Sequence, residues 1–366
     1  MSESIPTVSL QEQLRVRQPA VRVICTLIAV NVLVFLAMLL GGAGLGLAPA
    51  DVHLNWGANF GPATQDGEWW RLGSAMFLHF GVVHLAMNMW ALWDGGQLVE
   101  RMFGPGRFVA VYALSGVSGN LLSLVTHHGR GVSGGASGAI FGIYGALLVY
   151  LWRERGRLHP REFRWLFWGA AAFSLATIVL GLLIPGIDNA AHIGGFLCGM
   201  LSGVCLSPSH AQKGWLRIRV RAGALLLLSW VLLVGQIPAP AYRWRDEANA
   251  RAEIARFMKS EALVNEVWQE ILGESKRGDA SFESLAGRIE ADIADSYERS
   301  FEHLSQLYVT PALPSGPGVE ALREYAARRR DASRLLADGL RENDAGKVNE
   351  ALALERKPKR LDMGHP

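Results

Sequence analysis

Few residues in this chain have the types and spacing to do chemistry. Ser137 is the single hydroxyl in GGASGAIFG (134–142), at the head of an apolar run; His192 opens another such run in AHIGG, and His84 and Asn88 stand four residues apart in HLAMN. A serine hydroxyl becomes an effective nucleophile when a neighbouring imidazole takes its proton, so Ser137 and His192 together could attack a carbonyl group for hydrolysis. The four-residue step puts His84 and Asn88 on one face of a helix. Taken alone, GGASGAIFG has a blander meaning. Gly134, Gly138 and Gly142 follow the small-xxx-small pattern by which a membrane helix approaches a neighbour closely. The elements that carry these groups decide between the two readings.

Of the 69 formal charges in the 366 residues, 43 fall in residues 241–366. The preceding residues carry 16 basic and 10 acidic side chains, too few for a soluble domain of that size, which predicts a membrane region followed by a polar one. Apolar runs able to cross, or nearly cross, a ~30 Å hydrocarbon layer lie near 23–42, 83–99, 108–126, 137–151, 163–184, 191–206 and 220–237. In lipid each must satisfy its own backbone hydrogen bonds, so α-helix is the expected form. With the N-terminus in the cytoplasm, 14 of the 16 basic residues of this region fall inside and only Arg71 and Arg130 outside, as the positive-inside rule requires. Arg15, Arg17 and Arg22 before an apolar run, with Ala48-Pro49-Ala50 beyond it, imitate a secretory signal. The run Val23 to Leu40 is too long for one, and further spans follow, so it reads as a retained first span. Cys25, Cys198 and Cys205, all within apolar runs, offer neither a disulfide framework nor metal-ligand spacing. The expected organisation is a cytoplasmic segment (1–20), a six-helix core (21–207), an inner linker with a seventh span (208–238) and a charged helical extracytoplasmic domain (239–366).

Under this orientation the second, fourth and sixth helices run inward. Glu100, Arg153 and Pro208 close them 16 residues after His84, Ser137 and His192 respectively. At ~1.5 Å per residue, all three polar groups lie ~24 Å from the inner boundary. Packing alone does not predict a shared depth. Gly195, Gly199 and Gly203 on the sixth helix, with Gly138, Gly142 and Gly145 on the fourth, allow close backbone contact and are expected to bring Ser137 within hydrogen-bond reach of His192. Both helices are short, so the loop THHGRGVSGG before Ser137 is expected to dip into the membrane or border a water-filled cavity. Asn31 is expected to make an interhelical hydrogen bond. His53, His127, His128 and His159, in loops without a partner pattern, are expected to be solvated. Asp188, four residues before His192, invites a triad reading, but in the turn PGIDN it reads first as a helix N-cap or a solvated loop acid.

The ordered set H-x-x-x-N at His84 and Asn88, G-x-S-G at Gly135–Gly138 and A-H-x-x-G at Ala191–Gly195 resembles the rhomboid intramembrane serine proteases over roughly residues 20–207. The match extends to Trp70 and Arg71 in the first outer loop, His79, and G-x-x-x-E at Gly96 to Glu100. The resemblance implies an all-α polytopic membrane protein with a six-helix core, here with a seventh transmembrane helix and a C-terminal helical soluble region. It also implies a serine endopeptidase that cleaves the transmembrane helix of single-span substrates near its outer end. Ser137 and His192 would form the dyad; His84, Asn88 and the Ser137 N–H would form the oxyanion hole. Trp70, Arg71, Gly135, Phe141, Gly195 and Glu100 would contact substrate or support the site. Phe141 stands where the family often has tyrosine and keeps a ring to stack on the imidazole. No metal or cofactor is implied. The expected partners are single-span membrane proteins and the lipid bilayer, without nucleic acid, and the C-terminal region is a candidate for self-association. The N-in topology suits a bacterial inner membrane. The alternative reading is a catalytically silent rhomboid-like protein for binding or trafficking, a class that loses the serine or histidine retained here. A solute transporter would be expected to show repeats between its halves, and none is visible.

Beyond Pro238–Tyr242, apolar residues at three- and four-residue steps predict helix from Asp246 to about Leu307. PALPSGPG at 311–318 predicts a break, followed by helix from Val319 to about Leu340. The final segment, with Lys357, Lys359 and Arg360, reads as loose.

Overall fold

The fold is that of a computed structural model, which describes residues 9–46, 49–126, 131–208 and 214–356. The chain divides into two compact units, residues 1–240 and 241–366. In chain order the first contains α1 (Leu10–Arg17), α2 (Arg22–Leu40), α3 (Ala50–Asn55), β1 (Asn59–Phe60), α4 (Gly61–Gln65), α5 (Arg71–Ser74), α6 (Val82–Phe103), α7 (Pro105–Thr126), β2 (Val132–Ser133), α8 (Ser137–Glu154), α9 (Pro160–Leu183), α10 (Asn189–Leu206) and α11 (Trp215–Gly235). The seven apolar runs in the sequence each fall on one of the seven helices of 18 residues or more among the described residues of this unit. The protein is an all-α polytopic membrane protein: α2, α7, α9, α10 and α11 are each long and apolar enough to cross a bilayer. The α6 helix reaches that measure only together with Arg71–Phe77, from which it bends by 94°.

The α8 helix does not reach it, because it sits inside the bundle. It packs against α6, α7, α9 and α10, and 14 of its 18 residues are buried. Its side chains meet protein rather than lipid, so glycine and tyrosine can replace leucine. Between α8 and α10 the backbones touch. A Cβ on Gly195 would run into the Gly138 carbonyl, one on Gly199 into Gly142, and one on Gly203 into Ala146 at 2.9 Å. Gly145 meets the Phe196 carbonyl 2.5 Å from where its Cβ would be.

One buried carboxylate ties two helices together. Glu100 of α6 is buried and accepts from the backbone N–H groups of Val23 (3.1 Å) and Ile24 (3.0 Å), capping the first turn of α2. Those amides have no partner in their own helix. The Asn31 amide donates to the Leu27 carbonyl of its own helix at 2.8 Å, and its side chain also faces the Tyr112 hydroxyl of α7. The α11 helix is tied to the bundle by Trp230 Nε1 donating to Ser118 Oγ (2.7 Å) and Arg219 donating to the Cys205 and Ser207 carbonyls.

The second unit contains α12 (Trp244–Arg277), α13 (Phe282–Arg288), a π-helical turn (Ile289–Ala294), α14 (Asp295–Ser305), α15 (Gly316–Arg341) and α16 (Ala345–Arg356). Its core takes Ala250, Phe257, Val264 and Ile271 from one face of α12, together with Ile293, Tyr297 and Leu322. The helix expected from Asp246 to Leu307 is interrupted after Arg277. Gly278 ends α12 in the left-handed region (φ +71°), and Ser281 caps α13 by accepting from the Ser284 N–H at 3.2 Å. The α15 helix starts three residues earlier than expected, with Pro317 in its first turn, where its missing N–H costs nothing. The Lys357–Arg360 segment lies outside the described residues.

Candidate active site

Ser137 is the first residue of α8, so its N–H is among the amides without an intrahelical acceptor. The chain arrives there under several restraints. Strand β2 pairs antiparallel with β1, Asn59 opposite Ser133 and Phe60 opposite Val132. The Gly135 N–H donates to the Ala75 carbonyl at 2.8 Å. Gly135 has φ +136°, and a Cβ there would stand 3.1 Å from His84 Nε2 and 3.7 Å from the Ser137 hydroxyl. Only glycine fits this position, and its bare edge lets the His84 ring and Ser137 Oγ face the same small space.

His84 lies in the first turn of α6. Its Nδ1 accepts from the Phe80 N–H at 3.4 Å, so in the neutral ring the proton sits on Nε2. That is the nitrogen nearest Gly135. One turn on, Asn88 is buried and its amide donates to the His84 carbonyl at 2.8 Å, leaving the second N–H of that amide for another acceptor.

His192 is buried in the first turn of α10, and Gly138, next to Ser137, abuts the carbonyl of Ala191, next to His192. The Phe141 ring lies flat on the His192 imidazole, centroids 4.3 Å apart and planes 10° apart. Among the described residues no hydrogen bond joins Ser137 to His192, and His192 Nδ1 is buried without a partner. Catalytic hydrogen bonds in an unliganded site are often long and tighten when substrate binds. Asp188 is the N-cap of α10. Its Oδ1 accepts from the Ala191 N–H at 2.9 Å, and its Oδ2 accepts from Ser133 Oγ at 2.6 Å and Ser123 Oγ.

The structure therefore gathers Ser137, His84, Asn88, Gly135, Phe141, His192 and Gly195 where α6, α8 and α10 begin. Trp70, Arg71 and Glu100 serve elsewhere. Arg71 is buried and donates to Glu68 (2.6 Å) and to the Leu54 and Ala58 carbonyls (2.8 and 3.1 Å), with the exposed Trp70 ring beside it. It staples the segment between α2 and α6. Glu100 caps α2 at the opposite end of α6.

Sequence reasoning missed His53. It is fully buried rather than solvated, and its ring stacks on Phe80 at 3.9 Å and 15°. The available signal was its place in the short helical stretch ADVHLN, which turns a loop histidine inward. His127 and His128 lie outside the described residues.

A model of the Rhomboid domain matches residues 66–209. Rhomboid protease GluP of Bacillus subtilis (strain 168) is 32% identical over 266 residues, covering 73% of this chain and 50% of that protein. Rhomboid protease AarA of Providencia stuartii is 30% identical over 250 residues, covering 62% of this chain and 88% of that protein. RHOMBOID-like protein 5 of Arabidopsis thaliana is 38% identical over 151 residues, 39% of this chain and 46% of that protein. The chain thus spans about half the length of the first of these relatives and most of AarA.

Proposed function

The chain belongs to the rhomboid family, and from that premise we propose that it is an intramembrane serine endopeptidase with Ser137 as nucleophile and His192 as its base. The observation that carries this reading is the seating of Ser137 at the first position of α8, with the His84 ring across Gly135 and the Phe141–His192 stack alongside. Ser137 Oγ attacks the scissile carbonyl carbon while His192 takes its proton. His192 then gives the proton to the leaving amine, and an acyl group remains on Ser137. Water, activated by the same imidazole, releases it. The carbonyl oxygen gains negative charge during attack. It is met by the Ser137 N–H, His84 Nε2–H and the free Asn88 amide hydrogen, aided by the positive end of α8.

The substrates are single-span membrane proteins, cut near the outer end of their helix, at the level where these three helices start. Residues 21–207 form the catalytic core, and 208–238 hold an inner linker and the seventh span. Residues 239–366 form a helical accessory domain outside the cytoplasm. The membrane is a bacterial inner membrane, with the N-terminus in the cytoplasm. Purified full-length protein in proteoliposomes, given a panel of single-span substrates, is expected to yield discrete cuts readable by mass spectrometry. Ser137→Ala should remove them at unchanged expression and helix content. Cleavage persisting in that variant would contradict the proposal.

A further inference from the structure

His53 belongs to none of the motifs above, yet it lies behind the site. It sits in α3, fully buried, with Nδ1 3.2 Å from the Pro49 carbonyl. That contact places the ring proton on Nδ1 and leaves Nε2 buried without a partner. As mere filler a histidine is a poor choice here, because leucine would occupy the space without burying an unmet polar atom. What histidine supplies is a flat ring anchored at one edge.

That ring covers Phe80, centroids 3.9 Å apart and planes 15° apart. Phe80 in turn reaches His84 twice. Its ring lies 6.1 Å from the imidazole, nearly parallel at 21°, and its backbone N–H is the donor that His84 Nδ1 accepts. His79 packs on the same imidazole at 5.1 Å. The orientation and tautomer of His84 therefore depend on where Phe80 sits, and one face of Phe80 is closed by His53.

We propose that His53 is a positioning residue for the oxyanion donor: by stacking on Phe80 it keeps the Phe80 N–H on His84 Nδ1, and so keeps Nε2–H aimed at the space before Ser137. This rests on the role given to His84 above. A group acting through His84 changes turnover rather than substrate affinity, and its effect vanishes once His84 is gone.

The test uses the full chain in proteoliposomes with one single-span substrate. His53→Leu, which keeps bulk and loses the flat ring, should lower kcat about tenfold with KM unchanged, since small misplacements of a catalytic group are costly. His53→Phe, which keeps a flat ring, should restore most of the rate. In a His84→Ala background His53→Leu should cost nothing further, the signature of two residues acting as one unit. Equal kcat in His53→Leu and the parent, a full additional loss in the His84→Ala background, or His53→Phe as slow as His53→Leu would each overturn the inference. These outcomes leave the protease reading intact. Failure of the parent itself to cleave in a Ser137-dependent way would overturn both.

Discussion

Gly135 and Phe141 bracket Ser137, and each makes a separable demand. Alanine at 135 would be strained at φ +136° and would press on the His84 ring 2.9 Å away. Gly135→Ala should therefore lower kcat by roughly tenfold or more, measured on folded, monodisperse protein. Phe141 offers only its ring to His192. Phe141→Tyr should stay within about threefold of the parent, and Phe141→Ala should lose about tenfold, the worth of one stacked aromatic contact. His84→Ala or Asn88→Ala should each cost on the order of a hundredfold in kcat, as expected for one oxyanion donor. At this scale much of the candidate site was legible, because polar groups in apolar runs are few and helical spacing places them. Of the readings open for Asp188, the structure has the N-cap. His53 was not legible, since burial of a single loop histidine depends on the fold of the segment between α2 and α6 and leaves no periodic trace. Arg71 could be found but not understood, because two of its acceptors are the Leu54 and Ala58 carbonyls, which no side-chain pattern encodes.

The helix pair α8 and α10 carries the proposed nucleophile and base on backbones that meet at Gly138 and Gly195 and at Gly142 and Gly199. Gly199→Ala would drive a methyl into Gly142 and should destabilise the fold by ~1–3 kcal/mol, read as a lower Tm, with turnover falling as the two helices part. Glu100 offers the contrasting case. Glu100→Ala would leave the Val23 and Ile24 amides unpaired at the head of α2 and cost about 2 kcal/mol. It lies ~24 Å along α6 from His84, so kcat/KM of the folded fraction should be unchanged; a loss of kcat/KM beyond the loss of folded protein would refute a purely structural role. Helix number and approximate bounds were legible from apolar runs bounded by charge. The inner helix α8 was legible as a helix, but its enclosure was not, since seventeen or so residues of mixed glycine and leucine look alike whether they face lipid or protein. In the second unit, mixed helical spacing continued through Arg277-Gly278, and the break there needed Gly278 and Ser281 to be weighed as stop and start signals.

Across the whole molecule, the partition of charge separated the two units before any helix was assigned, because a membrane region excludes most ionised side chains and a small water-exposed bundle is covered by them. The proposed orientation makes a direct prediction. A cysteine at Gly156, in the exposed turn between α8 and α9, should react with a membrane-impermeant maleimide only after permeabilisation, whereas one at exposed Glu266 should react in intact cells. The reverse pattern would invert the topology. The proposed chemistry requires that His192 activate Ser137. Its most direct test is mass-spectrometric mapping of the adduct formed when the full-length protein, in proteoliposomes, is treated with a fluorophosphonate. A single adduct on Ser137, lost in His192→Ala, is expected; modification elsewhere, or undiminished labelling of Ser137 without His192, would overturn the dyad.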